Sequence, residues 1–354
     1  MVSAKEMNDL IQRYKGTEKE AMLAEMLKGA AVLTRRTPAF EQIKKAQELI
    51  NKDGFDLSIN VDKPYLLTTR NQRYLDRTLP KDAESAFVIL SSGDTLFELV
   101  SRGVSKIVTV DVNDLQSFIF KLRKASIMTL SPNEFEGFLV DSNGPRFMSL
   151  DMYKDVREAF PKDDIELISF WDNILGINPS SDLAKHFFKG VGGDLSKIRY
   201  SIPYLKKKGL YYALRDKLEK TQITIKLSEA LTYLQEHTDD KFDYIDIANI
   251  LLFIYQIQCN DDKEKYNEVL RSLRTIYDTN LNNGGVMVID YLFGVNLKSL
   301  NNISEDDPDK RLVQEIYKYT YEKLQELFEL ESSTVEKLIG GFGNESDTVV
   351  YTKK

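Results

Sequence analysis

A glycine and an acidic residue, Gly93 and Asp111, follow two apolar runs that are typical of buried strands. Gly93 lies in a turn after the first run, where the absence of a side chain lets a ligand approach the backbone closely. Asp111 follows the second run, where a carboxylate can accept hydrogen bonds from both hydroxyls of a ribose. Their spacing is close to the roughly 20 residues that separate a glycine turn from a ribose-binding acid. The two residues therefore predict a binding site for a nucleoside.

The turn at residues 91–95 narrows the choice of ligand. It holds one glycine instead of the three of a dinucleotide-binding fingerprint, and it offers no run of amides suited to a pyrophosphate. A nucleoside without phosphates, such as S-adenosylmethionine, fits this turn better. The alternative is an ordinary α/β turn, in which Asp111 is solvated and binds no ligand.

The elements that position these residues alternate between strands and helices. Short apolar runs rich in β-branched and aromatic residues predict strands, and apolar residues at helical spacing between them predict amphipathic helices. The five predicted strands are residues 86–90, 106–110, 223–225, 244–247 and 286–289, and residues 348–351 are predicted to add a late edge strand. This succession is similar to the seven-stranded Rossmann-type sheet of class I methyltransferases, an α/β fold.

Two helical additions to this sheet are predicted. Residues 1–80 form an N-terminal helical cap, because apolar residues recur there at helical spacing. Residues 81–130 and 220–354 form the Rossmann-type domain that binds S-adenosylmethionine. Residues 131–219 interrupt the alternation of strands and helices, and we expect them to form a mostly helical insertion that covers the site.

Composition and charge argue against several classes of function. The formal net charge of -7 and the pI of about 5.2 argue against a nucleic-acid binder that depends on phosphate contacts. The single cysteine, Cys259, excludes internal disulfides, and His186 and His237 lack partners at metal-ligand spacing, so no metal site is expected. No apolar stretch approaches the roughly 20 residues that span a bilayer, and residues 1–6 do not resemble a signal peptide. We therefore expect a cytoplasmic protein.

The residues after the second predicted strand resemble a motif of a known family. Residues 111–116 read DVNDLQ and are followed by Lys121 and Leu122 and then by SPNEF at residues 131–135. This order resembles the run D-x-N-P-x-Q … L-K … L … F of the S-adenosylmethionine:diacylglycerol 3-amino-3-carboxypropyltransferases, which open betaine-lipid synthesis. Asp114 stands where the family has its proline.

A second group of residues continues the resemblance. Residues 202–206 are similar to the family's P-Y-L-K motif, residues 214–215 to L-R and residues 241–243 to F-D, in the same order. The resemblance covers roughly residues 60–295. The sequence departs from the family at the positions where the family recognises its acceptor substrate, such as residues 72–76 and 248–253. The identity of the acceptor therefore stays open, and it is either a lipid or a small molecule.

The resemblance implies that S-adenosylmethionine is the cofactor and gives residues at the strand ends a role. By matching position, residues 91–94 lie against its methionine part, Asp111 holds its ribose, and the next two residues flank its adenosine. Residues after the third and fourth predicted strands lie near the adenine amino group and the sulfonium. Together, the expected cofactor-binding residues are Ser91, Ser92, Gly93, Asp94, Asp111, Val112, Asn113, Ser228 and Asn249. For each of them, the alternative is a strand-end residue that caps the next helix.

An acceptor hydroxyl benefits from a base, for which the sequence offers Tyr204, Tyr74 and Glu229 as catalytic or orienting residues. The family transfers the 3-amino-3-carboxypropyl group and releases methylthioadenosine, which implies a transferase acting on a hydroxyl or amine acceptor. Two alternatives stay open, a methyltransferase that uses the same cofactor and a Rossmann-type binding protein without catalysis. We expect no nucleic-acid partner and no transmembrane segment. Residues 206–208, three lysines, are interpreted as a solvated turn, with contact to membrane headgroups as the alternative.

Overall fold

The computed structural model describes residues 72–139, 150–176, 202–248, 250–255, 259, 262–291, 308–328, 333–339 and 345–353. The chain divides into two compact units, one made of Met1–Leu67 with Asn113–Ser196 and the other of Thr68–Val112 with Lys197–Lys354. Most of the predicted N-terminal cap lies outside the described residues, and so does Asn249. Within the described ranges, no helix is long and apolar enough to cross a membrane.

The described strands form one seven-stranded sheet in the second unit. They are β1 (Ser85–Ile89), β2 (Lys106–Asp111), β3 (Gln222–Leu227), β4 (Phe242–Asp246), β5 (Leu281–Tyr291), β6 (Ser333–Ile339) and β7 (Glu345–Thr352). Their order across the sheet is β3-β2-β1-β4-β5-β7-β6. β1 to β5 pair in parallel, and β7 runs antiparallel between β5 and β6. This is the strand order of class I methyltransferases, so the predicted fold class is confirmed.

β1 lies inside the sheet, between β2 and β4, and is buried on both faces. Phe87 pairs with Val108 of β2 on one side and with Ile245 of β4 on the other. All three side chains are almost fully buried, as expected of parallel strands that helices cover on both faces. The order of the strands changes direction between β1 and β4. Ligands bind at such a point, in the crevice beyond the carboxyl ends of the strands.

The end of the chain differs from the sequence prediction. β7 contains the predicted strand at residues 348–351, but it lies inside the sheet between β5 and β6, so its prediction as an edge strand was wrong. The physical reason is that β6, which directly precedes β7 in the described part of the chain, pairs antiparallel with the side of β7 that faces away from β5. The edge is formed by β6, which the sequence analysis missed because two charged residues interrupt its short apolar pattern.

The described helices lie before or between the strands in the chain, and four of them, at residues 114–171, belong to the first unit. They are α1 (Leu75–Thr78), α2 (Asp94–Arg102), α3 (Asp114–Thr129), α4 (Pro132–Leu139), α5 (Leu150–Glu158), α6 (Ile165–Trp171), α7 (Pro203–Lys206), α8 (Lys208–Leu218), α9 (Ala230–Glu236), α10 (Ile250–Phe253), α11 (Lys263–Asn280) and α12 (Pro308–Phe328). A 3-10 turn, Gln72–Tyr74, precedes α1, and a π-helical turn, Asp172–Gly176, follows α6.

The unit that contains α3 to α6 has its own buried polar network. The indole N–H of Trp171 donates to the carbonyl of Phe118 at 3.1 Å. Arg157 donates to both carboxylate oxygens of Asp172, at 2.9 and 3.1 Å, and the hydroxyl of Tyr153 donates to the same group at 2.7 Å. Burial and the neighbouring carboxylate raise the pKa of Tyr153 well above its ordinary value. The phenol therefore stays a hydrogen-bond donor to Asp172 at neutral pH.

Candidate functional site

Two strained backbone positions mark one edge of the sheet. Ser91, with φ of 43°, and Ala248, with φ of 49°, are the only residues other than glycine with positive φ in the described part of the chain. Ser91 follows β1 and Ala248 follows β4, and these strands are parallel neighbours. Both residues therefore lie at the carboxyl edge of the sheet. Strain of this kind costs of order 1–3 kcal/mol and clusters at functional sites, so we place the candidate site at this edge.

The turn after β1 brings the start of α2 to the carboxyl edge. Gly93 precedes α2 in the left-handed conformation, with φ of 81°, and its N–H donates to the carbonyl of Leu90 at 2.7 Å. The first intrahelical bond runs from the N–H of Phe97 to the carbonyl of Gly93 at 2.9 Å. The first amides of a helix lack carbonyl partners within it and attract negative charge. This end of the turn can therefore receive a carboxylate group of a ligand.

Asp111 ends β2 and is held against the turn, as its position in the sequence predicts. Its Oδ2 accepts a hydrogen bond from the N–H of Ser91 at 2.9 Å. Its carbonyl accepts from the N–H of Ser228 at 3.0 Å, which continues the pairing of β2 with β3. The side chain is partly exposed. The carboxylate is therefore fixed in direction at a surface that a ligand can reach.

Asp94 is buried beneath the turn and is bonded to a candidate catalytic tyrosine. One of its carboxylate oxygens accepts from the hydroxyl of Ser92 and the other from the hydroxyl of Tyr204, both at 2.8 Å. Tyr204 is buried on α7, and its ring lies edge-on to the ring of Phe97 at 6.0 Å. These bonds hold α7 against the start of α2. The buried hydrogen bond between Asp94 and Tyr204 thus stabilises the turn between β1 and α2.

A second buried pair, Tyr74 and Asp246, lies at the end of β4. The hydroxyl of Tyr74 donates to Oδ2 of Asp246, and the N–H of the strained Ala248 donates to Oδ1 at 2.9 Å. Tyr74 is 3% exposed and Asp246 is 1% exposed. The sequence predicted a catalytic or orienting role for Tyr74 but gave no role to Asp246. The available signal was an acidic residue close to the end of a predicted strand, since the acidic residue directly after another predicted strand identified Asp111.

An ion-pair network fixes α1, the short helix that directly follows Tyr74. Arg102, at the end of α2, lies 2.7 Å from Asp76 on α1 and 3.0 Å from Glu98 on α2. Burial raises the pKa of Glu98, and Arg102 opposes that effect. On the strand side, Thr78 and Tyr244 bond through their hydroxyls at 3.2 Å. α1 is therefore held to both α2 and β4, which orients the segment that begins with Tyr74.

Two more of the predicted residues cap helices. Oε2 of Glu229 accepts from the N–H of Thr232 at 2.7 Å and caps α9. Oδ1 of Asn113 accepts from the N–H of Leu115 at 3.0 Å and caps α3, in the first unit. The hydroxyl of Ser228 donates to the carbonyl of Glu229 at 3.1 Å. The capping interactions agree with the structural alternative for these residues, and their roles in binding or catalysis stay predictions.

Two apolar side chains are exposed beside Asp111. Val112 follows Asp111 directly and is 60% exposed, and Leu227, which pairs with Asp111 across β2 and β3, is 64% exposed. Exposed apolar side chains next to a fixed carboxylate can cover the flat face of a base while the carboxylate binds a ribose.

No group of three or more His, Cys, Asp or Glu residues within the described ranges could hold a metal ion.

Comparisons with known proteins give distant matches of the fold. No protein-family model matches the chain, and no curated protein does. An O-methyltransferase from Bacillus cereus, solved in complex with SAH, is 13% identical over 97% of this chain and 100% of its own, with a TM-score of 0.35. The spermidine synthase of Thermotoga maritima is 9% identical over 80% of this chain and 60% of its own, with a TM-score of 0.35. The O-methyltransferase TomG from Streptomyces achromogenes, solved in complex with SAM, is 12% identical over 89% of this chain and 90% of its own, with a TM-score of 0.32. These likenesses are too distant to assign a function to the chain.

Proposed function

We propose that this chain is an S-adenosylmethionine-dependent transferase. The hydrogen bond from the N–H of Ser91 to the carboxylate of Asp111 is the observation that carries the proposal. It fixes a ribose-binding acid beside a glycine turn at the carboxyl edge of the sheet. This edge is where ligands of open α/β sheets bind.

The residues of the edge fit each part of this cofactor. Asp111 accepts from the ribose hydroxyls, and the exposed Val112 and Leu227 cover the adenine ring. The turn around Gly93 and the first amides of α2 bind the carboxylate of the methionine chain, which carries the charge that a helix N-terminus favours. The turn holds no run of amides for a pyrophosphate, which supports a nucleoside without phosphates as the ligand.

The bound cofactor supplies an electrophilic carbon next to a sulfonium, whose leaving group departs as a neutral thioether. The family resemblance supports transfer of the 3-amino-3-carboxypropyl group to a hydroxyl or amine acceptor, with release of methylthioadenosine. Methyl transfer with release of S-adenosylhomocysteine is the alternative that the same fold allows. The two reactions differ in which carbon the protein holds in line with the acceptor.

The two tyrosine–aspartate pairs have different roles in this proposal. Tyr204 holds Asp94 and so keeps the cofactor-binding turn in place. Tyr74 lies in the 3-10 turn before α1, and its hydroxyl donates to the buried carboxylate of Asp246 at the end of β4. Oδ2 of Asp246 can receive the proton of the Tyr74 hydroxyl while the phenol oxygen takes a proton from an acceptor. Glu229 is a weaker candidate for the base, because its carboxylate caps α9.

Thermal unfolding with S-adenosylmethionine, S-adenosylhomocysteine and methylthioadenosine tests the cofactor. A ligand at about 100 times its Kd stabilises the fold by about 2.7 kcal/mol, which raises the midpoint by several degrees. Asp111→Asn should weaken binding about 10-fold to 100-fold, because hydrogen bonds to a charged group contribute about 1.5–3 kcal/mol. Asp82→Asn is the matched control, since it removes an exposed carboxylate just before β1, at the opposite edge of the sheet. Equal affinity in both variants would contradict the assigned ribose contact.

Two isotopic labels distinguish the reactions once the cofactor binds. Label in the carboxyl group enters the acceptor in aminocarboxypropyl transfer, and label in the methyl group stays with methylthioadenosine. The opposite distribution identifies a methyltransferase. Binding of the cofactor without turnover of either label, over a panel of lipid, alcohol and amine acceptors, would favour a binding protein without catalysis.

A further inference from the structure

The junction of α7 and α8 forms a basic tip, which we define as residues 206–210 together with Tyr212. Residues 206–210 are exposed without interruption and comprise Lys206, Lys207, Lys208, Gly209 and Leu210. Residues 202–215 contain four basic residues and no acidic residue, in a chain whose net charge is -7. In the part of the chain that the structure describes, the side chains of the three lysines form no ion pair and no hydrogen bond. The tip is therefore a concentrated positive charge that the fold leaves to solvent.

One contact from α7 and one from the end of α8 place this tip at the carboxyl edge of the sheet. Just before the tip, the hydroxyl of Tyr204 bonds to Asp94 at the start of α2. Near the end of α8, Nζ of Lys217 donates to the carbonyl of Ser101 at the end of α2. Helices α2 and α8 therefore run side by side in the same direction. The basic tip lies at the edge that carries the turn after β1, beside the candidate site.

Apolar side chains accompany the lysines of the tip. Leu210 is 42% exposed and Tyr212 is 43% exposed, although Tyr211 between them is buried. The guanidinium of Arg215 lies 5.3 Å from the ring centre of Tyr212, which holds the ring in place at the surface. Lysines next to an exposed aliphatic chain and a tyrosine are the composition of segments that lie at a membrane surface.

We propose that the basic tip docks on the surface of an anionic lipid bilayer. The unpaired lysines complement the negative lipid headgroups, and Leu210 and Tyr212 enter the boundary between headgroups and acyl chains. The tip is small and the rest of the chain is acidic. It therefore lacks the extended series of basic contacts with backbone phosphates that binding of a nucleic acid requires. Docking in this orientation brings the carboxyl edge close to the bilayer. The proposal does not depend on the transferase activity, because it concerns the surface and not the reaction.

Cosedimentation with vesicles tests the proposal on the full chain. One set of vesicles contains phosphatidylcholine alone, and the other contains about 30 mol% phosphatidylglycerol, an anionic lipid. Each lysine near an anionic surface strengthens binding about fivefold, so replacing all three should weaken it about 100-fold. The test variant combines Lys206→Gln, Lys207→Gln and Lys208→Gln. Because the three side chains are exposed and unpaired, we expect an unchanged unfolding midpoint.

A matched variant separates a local effect from net charge. It combines Lys81→Gln, Lys106→Gln and Lys220→Gln, three exposed lysines at the opposite edge of the sheet, and carries the same net charge as the test variant. We expect this variant to bind anionic vesicles as the wild type does. A further variant, Leu210→Ser with Tyr212→Ser, should weaken binding in about 1 M salt, where the screening length falls to about 3 Å and insertion dominates.

Three results would overturn the proposal. The first is that the wild type binds neither set of vesicles, or binds both sets equally. The two triple-lysine variants would lose the same affinity, which would show a general effect of charge. A single-stranded oligonucleotide would bind through the three lysines when anionic vesicles do not, which would assign the tip to nucleic acid. Binding of S-adenosylmethionine is measured separately by thermal unfolding, so failure of the proposed function leaves this test intact.

Discussion

Removal of the Tyr74 hydroxyl is the perturbation whose effect follows most directly from the structure. Tyr74→Phe keeps the ring, so no cavity forms and the lost interaction is the hydrogen bond to Asp246. Both side chains are almost fully buried, so solvent does not screen the bond. A hydrogen bond to a charged group contributes about 1.5–3 kcal/mol to the free energy of unfolding. We expect Tyr74→Phe to lower that free energy by about 2 kcal/mol.

Urea unfolding measures this change. For an m value of about 3 kcal/mol/M, a loss of about 2 kcal/mol moves the midpoint by about 0.7 M. Asp246→Asn and the double variant complete a cycle that isolates the coupling between the two side chains. Residues in one hydrogen-bond network couple by about 0.5–3 kcal/mol, and we expect a coupling near 2 kcal/mol here.

Tyr244→Phe is the matched control for this cycle. Tyr244 is buried on the same strand as Asp246, and its hydroxyl bonds to the neutral hydroxyl of Thr78 at 3.2 Å. A neutral hydrogen bond contributes only about 0.5–1.5 kcal/mol, so this variant should lose less stability than Tyr74→Phe. Equal losses in the two variants, or a coupling below about 0.5 kcal/mol, would refute the charged hydrogen bond and with it the proposed path of the proton.

Three further predictions concern stability alone. Asp172→Asn should destabilise the chain by about 3–5 kcal/mol, because it removes the carboxylate charge that pairs with the buried guanidinium of Arg157, and urea unfolding measures this. Gly285→Ala should cost about 1–3 kcal/mol, because a Cβ there lies 2.8 Å and 3.1 Å from two backbone carbonyl oxygens, whereas Gly137→Ala in open space on α4 should add about 0.5–1 kcal/mol in the same assay. Burial alone would raise the pKa of Asp243, but the hydrogen bonds it accepts outweigh burial and lower the pKa. Its contribution to stability is therefore present above its unfolded pKa of about 3.9 and is lost as pH falls through the lower folded value, which urea midpoints of wild type and Asp243→Asn between about pH 6 and pH 3 should show.

The sequence by itself determined the fold class and placed Asp111 at the same edge of the sheet as the turn that contains Gly93. Apolar runs alternating with amphipathic helices require a parallel sheet, because strands buried on both faces need helices to cover them. Parallel strands bring their carboxyl ends to one edge, so Asp111 had to lie near the turn that contains Gly93. The structure adds the bond from Ser91 to Asp111, which links residues 20 positions apart. Both residues belong to one local β-α-β unit, which a sequence pattern can identify.

The tertiary structure decided the partners of the buried tyrosines and the order of the last strands. Tyr74 meets Asp246 across 172 positions of the chain, and Tyr204 meets Asp94 across 110. Hydrophobic periodicity carries no information on such pairs, because a buried hydroxyl finds its acceptor only after the sheet has brought distant segments together. The position of β7 between β5 and β6 is likewise set by long-range pairing, in which Val286 of β5 lies opposite Thr352 of β7, and not by local propensity. Local physics fixes which segments become strands, and long-range packing fixes which polar groups they bury against each other.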